Sequence, residues 1–346
     1  MANISKKPPF HKAIMESGAA TARAVYPYDC ALHQNQFEEF LHKTGSSHVS
    51  EDQIMSHLRS LPVSLVVSAS QAIFLKYDPS LRWAFQPVIE GPGGYIPKAP
   101  IAAWRSGDWH KMPILTGFNT NEGAMFVPVS ISKSSEFREF FHTLLPALTE
   151  LDLDTIESLY PDPLTHPSSS PYVDTRRGLG PQFKRMEAAY AQFAYIAPVR
   201  HTAHFASAAS LPQAPVYLYQ FALQRSVNGG ANHGDQRDFV MYSPDVVNFS
   251  KTQQEIAGNM HAYYTSFIIT GDPNAVKGRW PDRPHWPAYR AGEGERMVFG
   301  KGNTEWVGGK DKGISAQVVP DMYAQKECEF WWLKTDISEQ KEKERL

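Results

Sequence analysis

The 346 residues are enough for one large domain or two smaller ones with an ample hydrophobic core. The 34 Lys and Arg residues nearly balance the 36 Asp and Glu residues, and this formal net charge of −2 argues against nucleic acid or another polyanion as a partner. Apolar residues at 42% exclude a mainly disordered chain, and two cysteines, Cys30 and Cys328, exclude a disulfide framework or a four-thiolate zinc site.

Three short apolar runs bounded by turn residues predict buried strands. They comprise residues 13–15, residues 113–116 ending at Gly117, and residues 216–221. Because the apolar residues are continuous rather than alternating, we expect strands covered on both faces, as in a parallel sheet.

Helices are predicted between and after these strands. The candidates are residues 53–58, a helix capped by Ser134 that runs to Leu144, residues 181–197, and residues 252–270. The last is the clearest, because Ser250 and Gln253 match a capping box and Gly271 ends the apolar stripe. Long helical stretches between strands indicate an α/β protein, in which residues 127–198 form a helical cap or pocket wall.

Two loops that follow predicted strands carry side chains suited to proton transfer. Glu122 lies just after the second strand, and His233 lies between glycines a few residues after the third. Because ligands collect at the carboxyl ends of parallel strands, we expect both side chains at one sheet edge. A carboxylate that orients an imidazole there leaves the other ring nitrogen free to deprotonate a hydroxyl. Taken alone, a glutamate in a loop is more often an ordinary solvated side chain, and one of thirteen histidines lying next to glycine is no surprise.

Other motifs predict no cofactor, metal site or membrane span. The chain has neither a phosphate loop nor a dinucleotide fingerprint. His201 and His204 have helical i, i+3 spacing, but no neighbouring carboxylate or thiolate completes a metal site. Residues 61–75 are too short and polar to cross a bilayer. Residues 1–10 contain no apolar signal-peptide core, which leaves the cellular compartment unknown.

Several ordered motifs resemble type B carboxylesterases and lipases. They are FHKAIMESG at residues 10–18, FQPVI at 85–89, GYIP at 94–97, PILTG at 113–117, NEGAMF at 121–126, His233-Gly234, FIITGDPN at 267–274 and WPAY at 286–289. The resemblance implies an incomplete α/β-hydrolase fold: the C-terminal part of a mostly parallel sheet with flanking helices. Residues 1–333 would be the C-terminal portion of one such domain, and residues 334–346 a charged, solvated tail. The resemblance also implies that Glu122 is the acid and His233 the base of a catalytic triad.

The sequence departs from this family pattern at the nucleophile. No G-x-S-x-G elbow is present, and the glycines of the oxyanion hole that precede the elbow in the family are also missing. Ser17 is a poor substitute, since Met15 and Ala19 stand where the elbow needs glycine. Gln236 occupies a position where relatives often carry an acid, so the surroundings of His233 differ from the family pattern.

Three hypotheses follow for the function. The first is a carboxylic ester hydrolase acting on small-molecule esters, of which this chain lacks the serine and is inactive alone. The second is a non-catalytic binding protein with a hydrolase-like fold, and the third is a truncated gene model or pseudogene product. If the first third of the domain is absent, a central strand becomes an edge, and we expect the isolated chain to aggregate through it.

Overall fold

The computed structural model describes residues 8–23, 25–208 and 214–338. One sheet contains five strands in the order β1 (Ala13–Glu16), β2 (Ile114–Asn119), β3 (Val216–Phe221), β4 (Glu295–Lys301) and β5 (Ile314–Pro320). Strands β1 to β4 are parallel, and β5 pairs antiparallel with β4. The prediction of a mostly parallel sheet is confirmed, although the apolar runs miss β4 and β5.

The two central strands separate two hydrophobic cores. Every residue of β2 and β3 is buried, as the continuous apolar runs predict. Alternate side chains point to opposite faces, so Ile114 and Phe118 pack into one core while Leu115 and Tyr217 pack into the other. Covering both faces in this way leaves the ends of the strands as the accessible part of the sheet.

The second strand continues past the glycine at which the sequence predicts its end. A Cβ atom on Gly117 would lie 2.1 Å from a ring carbon of Tyr219 on the neighbouring strand. Gly117 therefore leaves room for a buried aromatic ring rather than ending the strand, and the predicted end was wrong for this reason. The two additional residues bring the next loop further out along the sheet edge.

Helices flank the sheet on both sides. In the described residues the α-helices are α1 (Ala31–Lys43), α2 (Ile54–Ser60), α3 (Val63–Tyr77), α4 (Pro100–Ser106), α5 (Ser134–Leu144), α6 (Glu150–Leu159), α7 (Phe183–Ala191), α8 (Ala197–Ala208), α9 (Arg237–Val240), α10 (Pro244–Val247), α11 (Lys251–Thr270), α12 (Gln325–Leu333) and α13 (Thr335–Ser338). A π-helical turn, Gln192–Ile196, joins α7 to α8. The four helices predicted from sequence all exist with shifted ends.

Of the two serines predicted to cap helices, one does so. Ser250 caps α11 as predicted, because its Oγ accepts a hydrogen bond from the Gln253 N–H at 3.1 Å. Ser134 is the first residue of α5 rather than its cap, so that assignment was wrong. The Glu136 carboxylate instead accepts the backbone N–H of Lys133 at 2.7 Å. This carboxylate favours the positive end of the helix dipole and stabilises the start of α5.

The C-terminal tail is attached to the domain where the structure describes it. Lys334 lies 2.5 Å from a carboxylate oxygen of Asp152, and Arg105 pairs with Asp336 at 2.6 Å. Residues 339–346 lie outside the described part, so the charged, solvated tail stays a prediction. Within the described part, no single helix is long and apolar enough to cross a membrane. Residues 54–60 and 63–80 reach that length and apolar content only as a pair, and this pair is bent by 114°.

The outer edge of β1 is unpaired in the described residues. This strand pairs only with β2, and its first three residues are half-buried. The central strands are paired on both sides, as β2 is by β1 and β3. The sheet therefore presents an open edge of short, largely apolar strand next to the loops that carry Glu122 and His233.

Candidate active site

The two loops identified from sequence meet at the carboxyl ends of β2 and β3. The N–H of Asn121 donates to the carbonyl of Ala231 at 2.9 Å, and the Ala231 N–H donates back to Asn121 Oδ1 at 3.1 Å. Asn119 Nδ2 also donates to the carbonyl of Asn232. Because these bonds join both loops directly, Glu122 and His233 are held by a shared backbone frame rather than by two independent loops.

Glycines allow this close approach of the two loops. Gly230 has a φ of 60°, and a Cβ atom at this position would lie 2.2 Å from Asn121 Oδ1. Gly234, directly after His233, has a φ of 86°, which non-glycine residues rarely adopt. The backbone conformation of these glycines lets a tight loop present the imidazole.

Glu122 and His233 are in direct contact. The Nδ1 atom of His233 lies 2.6 Å from Glu122 Oε2. The Glu122 side chain is fully buried, whereas 32% of the His233 side chain is exposed. A carboxylate only accepts, so Nδ1 carries the proton and Nε2 is left as the acceptor. In the described part of the chain Nε2 makes no hydrogen bond, so it is available to a substrate or nucleophile.

The second carboxylate oxygen of Glu122 accepts two hydrogen bonds. Oε1 accepts the backbone N–H of Asn119 at 2.5 Å and the hydroxyl of Ser17 at 2.5 Å. These donors stabilise the ionised carboxylate in its buried position and set its orientation toward the imidazole. Ser17 is itself buried and follows β1 directly, so its hydroxyl contacts the acid and not the histidine.

Two aromatic rings contact the imidazole of His233. The Tyr195 and Phe126 ring centroids lie 4.7 and 5.4 Å from that of His233. Tyr195 belongs to the π-helical turn, a feature that often occurs at functional sites. The rings restrict the orientation of His233 and give the site an apolar wall.

The amide of Gln236 is satisfied by two neighbours. Its Oε1 accepts from Asn119 Nδ2 at 2.7 Å, and its Nε2 lies 3.5 Å from Glu16 Oε1. Glu16 also accepts from the Tyr264 hydroxyl at 2.7 Å. Gln236 is therefore held between Asn119 and a carboxylate at the end of β1.

A second buried carboxyl lies behind the loop of Glu122. Glu187 on α7 accepts a hydrogen bond from Asn121 Nδ2 at 3.3 Å, and burial raises the pKa of Glu187 to about 7. A Cβ atom on Gly123 would lie 2.2 Å from the Glu187 carbonyl oxygen. The helix thus packs so tightly against the loop that only glycine fits between them.

The described residues contain no cluster of three His, Cys, Asp or Glu side chains that could hold a metal ion. His201 is buried and stacks on Trp332 with ring centroids 5.0 Å apart. His204 packs on the same tryptophan at 5.5 Å. The two histidines are therefore part of an aromatic cluster. Cys30 and Cys328 are both buried, and neither forms a disulfide within the described residues.

We expect His201 to make the fold sensitive to acid. Burial lowers the pKa of His201 to about 3. The unfolded imidazole binds a proton near pH 6.5, whereas the folded one does so only near pH 3. Between these values the unfolded state binds more protons, so the free energy of unfolding falls as the pH drops. At about pH 5 this costs roughly 2 kcal/mol of unfolding free energy. Urea unfolding of the wild type and of His201→Phe, which keeps the stacking on Trp332, measures the difference at several pH values.

The sign of this effect separates His201 from Glu187. The raised pKa of Glu187 makes the folded state bind the extra proton, so this group weakens the fold as the pH rises toward 7. The wild-type protein and His201→Phe should therefore diverge only on the acid side. An exposed histidine variant, His285→Phe, serves as the control. Parallel pH profiles for all three proteins would contradict a neutral buried His201.

Sequence patterns identify the acid and base but miss their supporting residues. Asn119 and Asn121 flank Glu122 in the same loop, and two amides beside a catalytic candidate at a strand end were an available signal. Ser17 lies in a motif of the family, but the motif does not indicate that its hydroxyl donates to Glu122. Tyr195 has none, because it lies far along the chain in an apolar helix whose π-helical turn has no sequence signature.

The sequence matches the model of the carboxylesterase family over residues 1–331. Secreted lipase 4 of Gibberella zeae is 31% identical over 285 residues, which cover 81% of this chain and 48% of that protein. Pyrethroid hydrolase Ces2e of Rattus norvegicus is 26% identical over 300 residues, covering 81% of this chain and 46% of that protein. The chain spans about half the length of the curated relatives it matches.

The fold is similar to that of a solved esterase structure. The crystal structure of EstA from Aspergillus niger matches with a TM-score of 0.73 at 23% identity, covering 95% of this chain and 59% of EstA. At this level of identity the likeness shows the fold alone. Together with the mostly parallel sheet and its flanking helices, it confirms the α/β-hydrolase fold that the motifs predict.

Proposed function

The chain belongs to the carboxylesterase family, and on that premise we propose that it supplies the acid and base of a serine carboxylic ester hydrolase acting on small-molecule esters. The observation that carries the proposal is the 2.6 Å contact between His233 Nδ1 and Glu122 Oε2, with Nε2 left free. This is the arrangement that an acyl-transfer mechanism needs.

Each group has a defined part in the reaction. His233 Nε2 takes the proton of a serine hydroxyl as the oxygen attacks the ester carbonyl, and later gives that proton to the leaving alcohol. The buried carboxylate of Glu122 stabilises the imidazolium that forms in between. Water then attacks the acyl-enzyme by the same base catalysis and releases the acid. Ser17 and Asn119 act on His233 indirectly, by orienting Glu122.

The serine nucleophile is proposed to come from outside these residues. Ser17 brings a hydroxyl into contact with the pair, but this hydroxyl donates to Glu122 Oε1 at 2.5 Å. A hydroxyl that donates to the acid cannot at the same time donate to His233 Nε2, which is what an attacking serine must do. The Glu122–His233 pair itself argues against the alternative of a purely binding protein, because a binding surface needs neither a buried acid nor an oriented base.

Three tests address this proposal. We expect no serine of this chain to react with a fluorophosphonate probe, and p-nitrophenyl butyrate to be hydrolysed no faster by the chain than by its His233→Ala variant. Translating the genomic sequence upstream of Met1 should reveal an in-frame G-x-S-x-G elbow. Labelling of a serine within the chain, with turnover abolished by His233→Ala, would place the nucleophile here. Stop codons upstream in that frame would contradict an external serine.

We also propose that the chain by itself associates through the open edge of β1. An exposed strand edge pairs readily with another strand. Light scattering after size-exclusion chromatography should show concentration-dependent oligomers. Ala13→Lys, which adds a charge to β1 at a half-buried position outside both hydrophobic cores, should reduce them, and Ile314→Lys at the exposed start of β5 should not. A monodisperse monomer with a sharp, cooperative thermal transition would contradict the proposal.

A further inference from the structure

One cation lies among the aromatic rings beside His233. The guanidinium carbon of Arg23 is 4.3 Å from the centroid of Trp83, 5.2 Å from that of Tyr195 and 5.9 Å from that of Phe126. Its Nη2 also donates to the Tyr195 hydroxyl. These contacts fix a positive charge inside the aromatic wall, since ring faces attract a guanidinium.

This charge is close to the proposed reaction centre. Tyr195 and Phe126 contact both the guanidinium of Arg23 and the ring of His233. A single layer of rings therefore separates the cation from the base. A substrate that bound both groups would therefore have to extend from His233 past the edge of these rings.

A cavity of about 30 Å³ lies next to the guanidinium. Such a volume has space for about two waters, which is the size of a carboxylate group. Three basic side chains line it, those of Arg23, His33 and Arg82, and no Asp or Glu lines it. The remaining wall is mainly apolar and includes Trp83 and Tyr190, so the cavity combines positive charge with partial exclusion of water.

Arg23 has no carboxylate partner in the described part of the chain. Its hydrogen bond goes to a neutral hydroxyl, and its other contacts are ring faces. A half-buried cation without a counter-ion is costly, and the aromatic contacts offset only part of that cost. A ligand anion placed in the cavity would complete the pairing and would gain a charge-assisted hydrogen bond from the guanidinium.

We propose that this cavity, which we call the Arg23 cavity, binds a carboxylate on the ester substrate, so that the site prefers esters bearing a negative charge. The inference rests on the proposed function for its choice of ester ligands. Arg23 then determines specificity and takes no part in bond making. Neutral esters occupy the same region with the guanidinium unpaired, and positively charged esters are repelled by it.

Binding without turnover tests the Arg23 cavity. Saturation-transfer NMR of the 346-residue chain compares monomethyl glutarate, which is an anion, with two neutral analogues, dimethyl glutarate and the methyl ester amide of glutaric acid. We expect the anion to bind about tenfold more tightly than either neutral ligand, as a charge-assisted hydrogen bond provides. The ligand comparison in the wild type needs no substitution. The cavity does not include β1, so it also needs no monomeric sample.

Variants then assign the preference to one side chain. Arg23→Gln should remove the tenfold difference, while Arg23→Lys should retain part of it. Arg59→Gln, which removes an exposed arginine on α2, should leave it unchanged. Equal affinities for the anion and the neutral ligands, or a preference that survives in Arg23→Gln, would overturn the inference. Because no hydrolysis is measured, an Arg23-dependent preference would stand even if the esterase proposal failed, and loss of the preference would leave that proposal intact.

Discussion

Replacing Asp321 with Ala is expected to destabilise the protein by about 3–5 kcal/mol, because it leaves two buried arginines without their carboxylate. Arg200 Nε donates to Asp321 Oδ2 at 2.9 Å, and Arg296 Nη1 lies 3.3 Å from Oδ1. The Tyr289 hydroxyl also bonds to Oδ2 at 3.2 Å. A single carboxylate thus joins α8, β4 and the segment that follows β5.

Equilibrium unfolding in urea measures this loss. Glu295→Ala is the matched control, because it removes the same charge from an exposed position at the start of β4. We expect that variant to stay within about 0.5 kcal/mol of the wild type, as surface substitutions usually do. A loss below about 1 kcal/mol for Asp321→Ala would mean that water reaches the arginines in place of the carboxylate.

This ion cluster shows where sequence reasoning reaches its limit. The strands β2 and β3 are predictable because six consecutive buried residues leave a local apolar signal. Arg200, Arg296 and Asp321 are polar residues separated by up to about a third of the chain, and nothing local marks them as buried. Strand β4 was missed for a similar reason, since charged residues at both ends shorten its apolar run.

The site was more predictable than its supports. Glu122 and His233 each follow a recognisable strand, and the rule that functional groups collect at the carboxyl ends of parallel strands brings them together. The contacts that orient them depend on register. Asn119 reaches Gln236 and the carbonyl of Asn232 only because β2 continues through Gly117. A glycine normally indicates a strand end, and only the buried Tyr219 ring shows why this one does not.

Replacing Glu122 with Gln is expected to cost about 10⁴-fold in kcat in a protein that joins this chain to a segment carrying the nucleophile. An amide cannot stabilise the imidazolium, and its NH₂ group would face either the His233 Nδ1–H or the donors Ser17 and Asn119. His233 would then favour the tautomer with the proton on Nε2, which cannot accept the proton of a serine. Steady-state kinetics with p-nitrophenyl butyrate measures the loss.

Glu187→Gln provides a matched control for this substitution. Both residues are buried glutamates beside the same loop, but Glu187 does not touch His233, and its pKa of about 7 means that the neutral form is already populated. We expect its kcat to stay within a few-fold of the wild type. The isolated chain gives a second readout, because the low-field proton resonance of the His233 Nδ1–H should vanish in Glu122→Gln and persist in Glu187→Gln. Equal losses of activity in both variants would indicate that the loop depends on buried charge in general, and not on the Glu122–His233 contact.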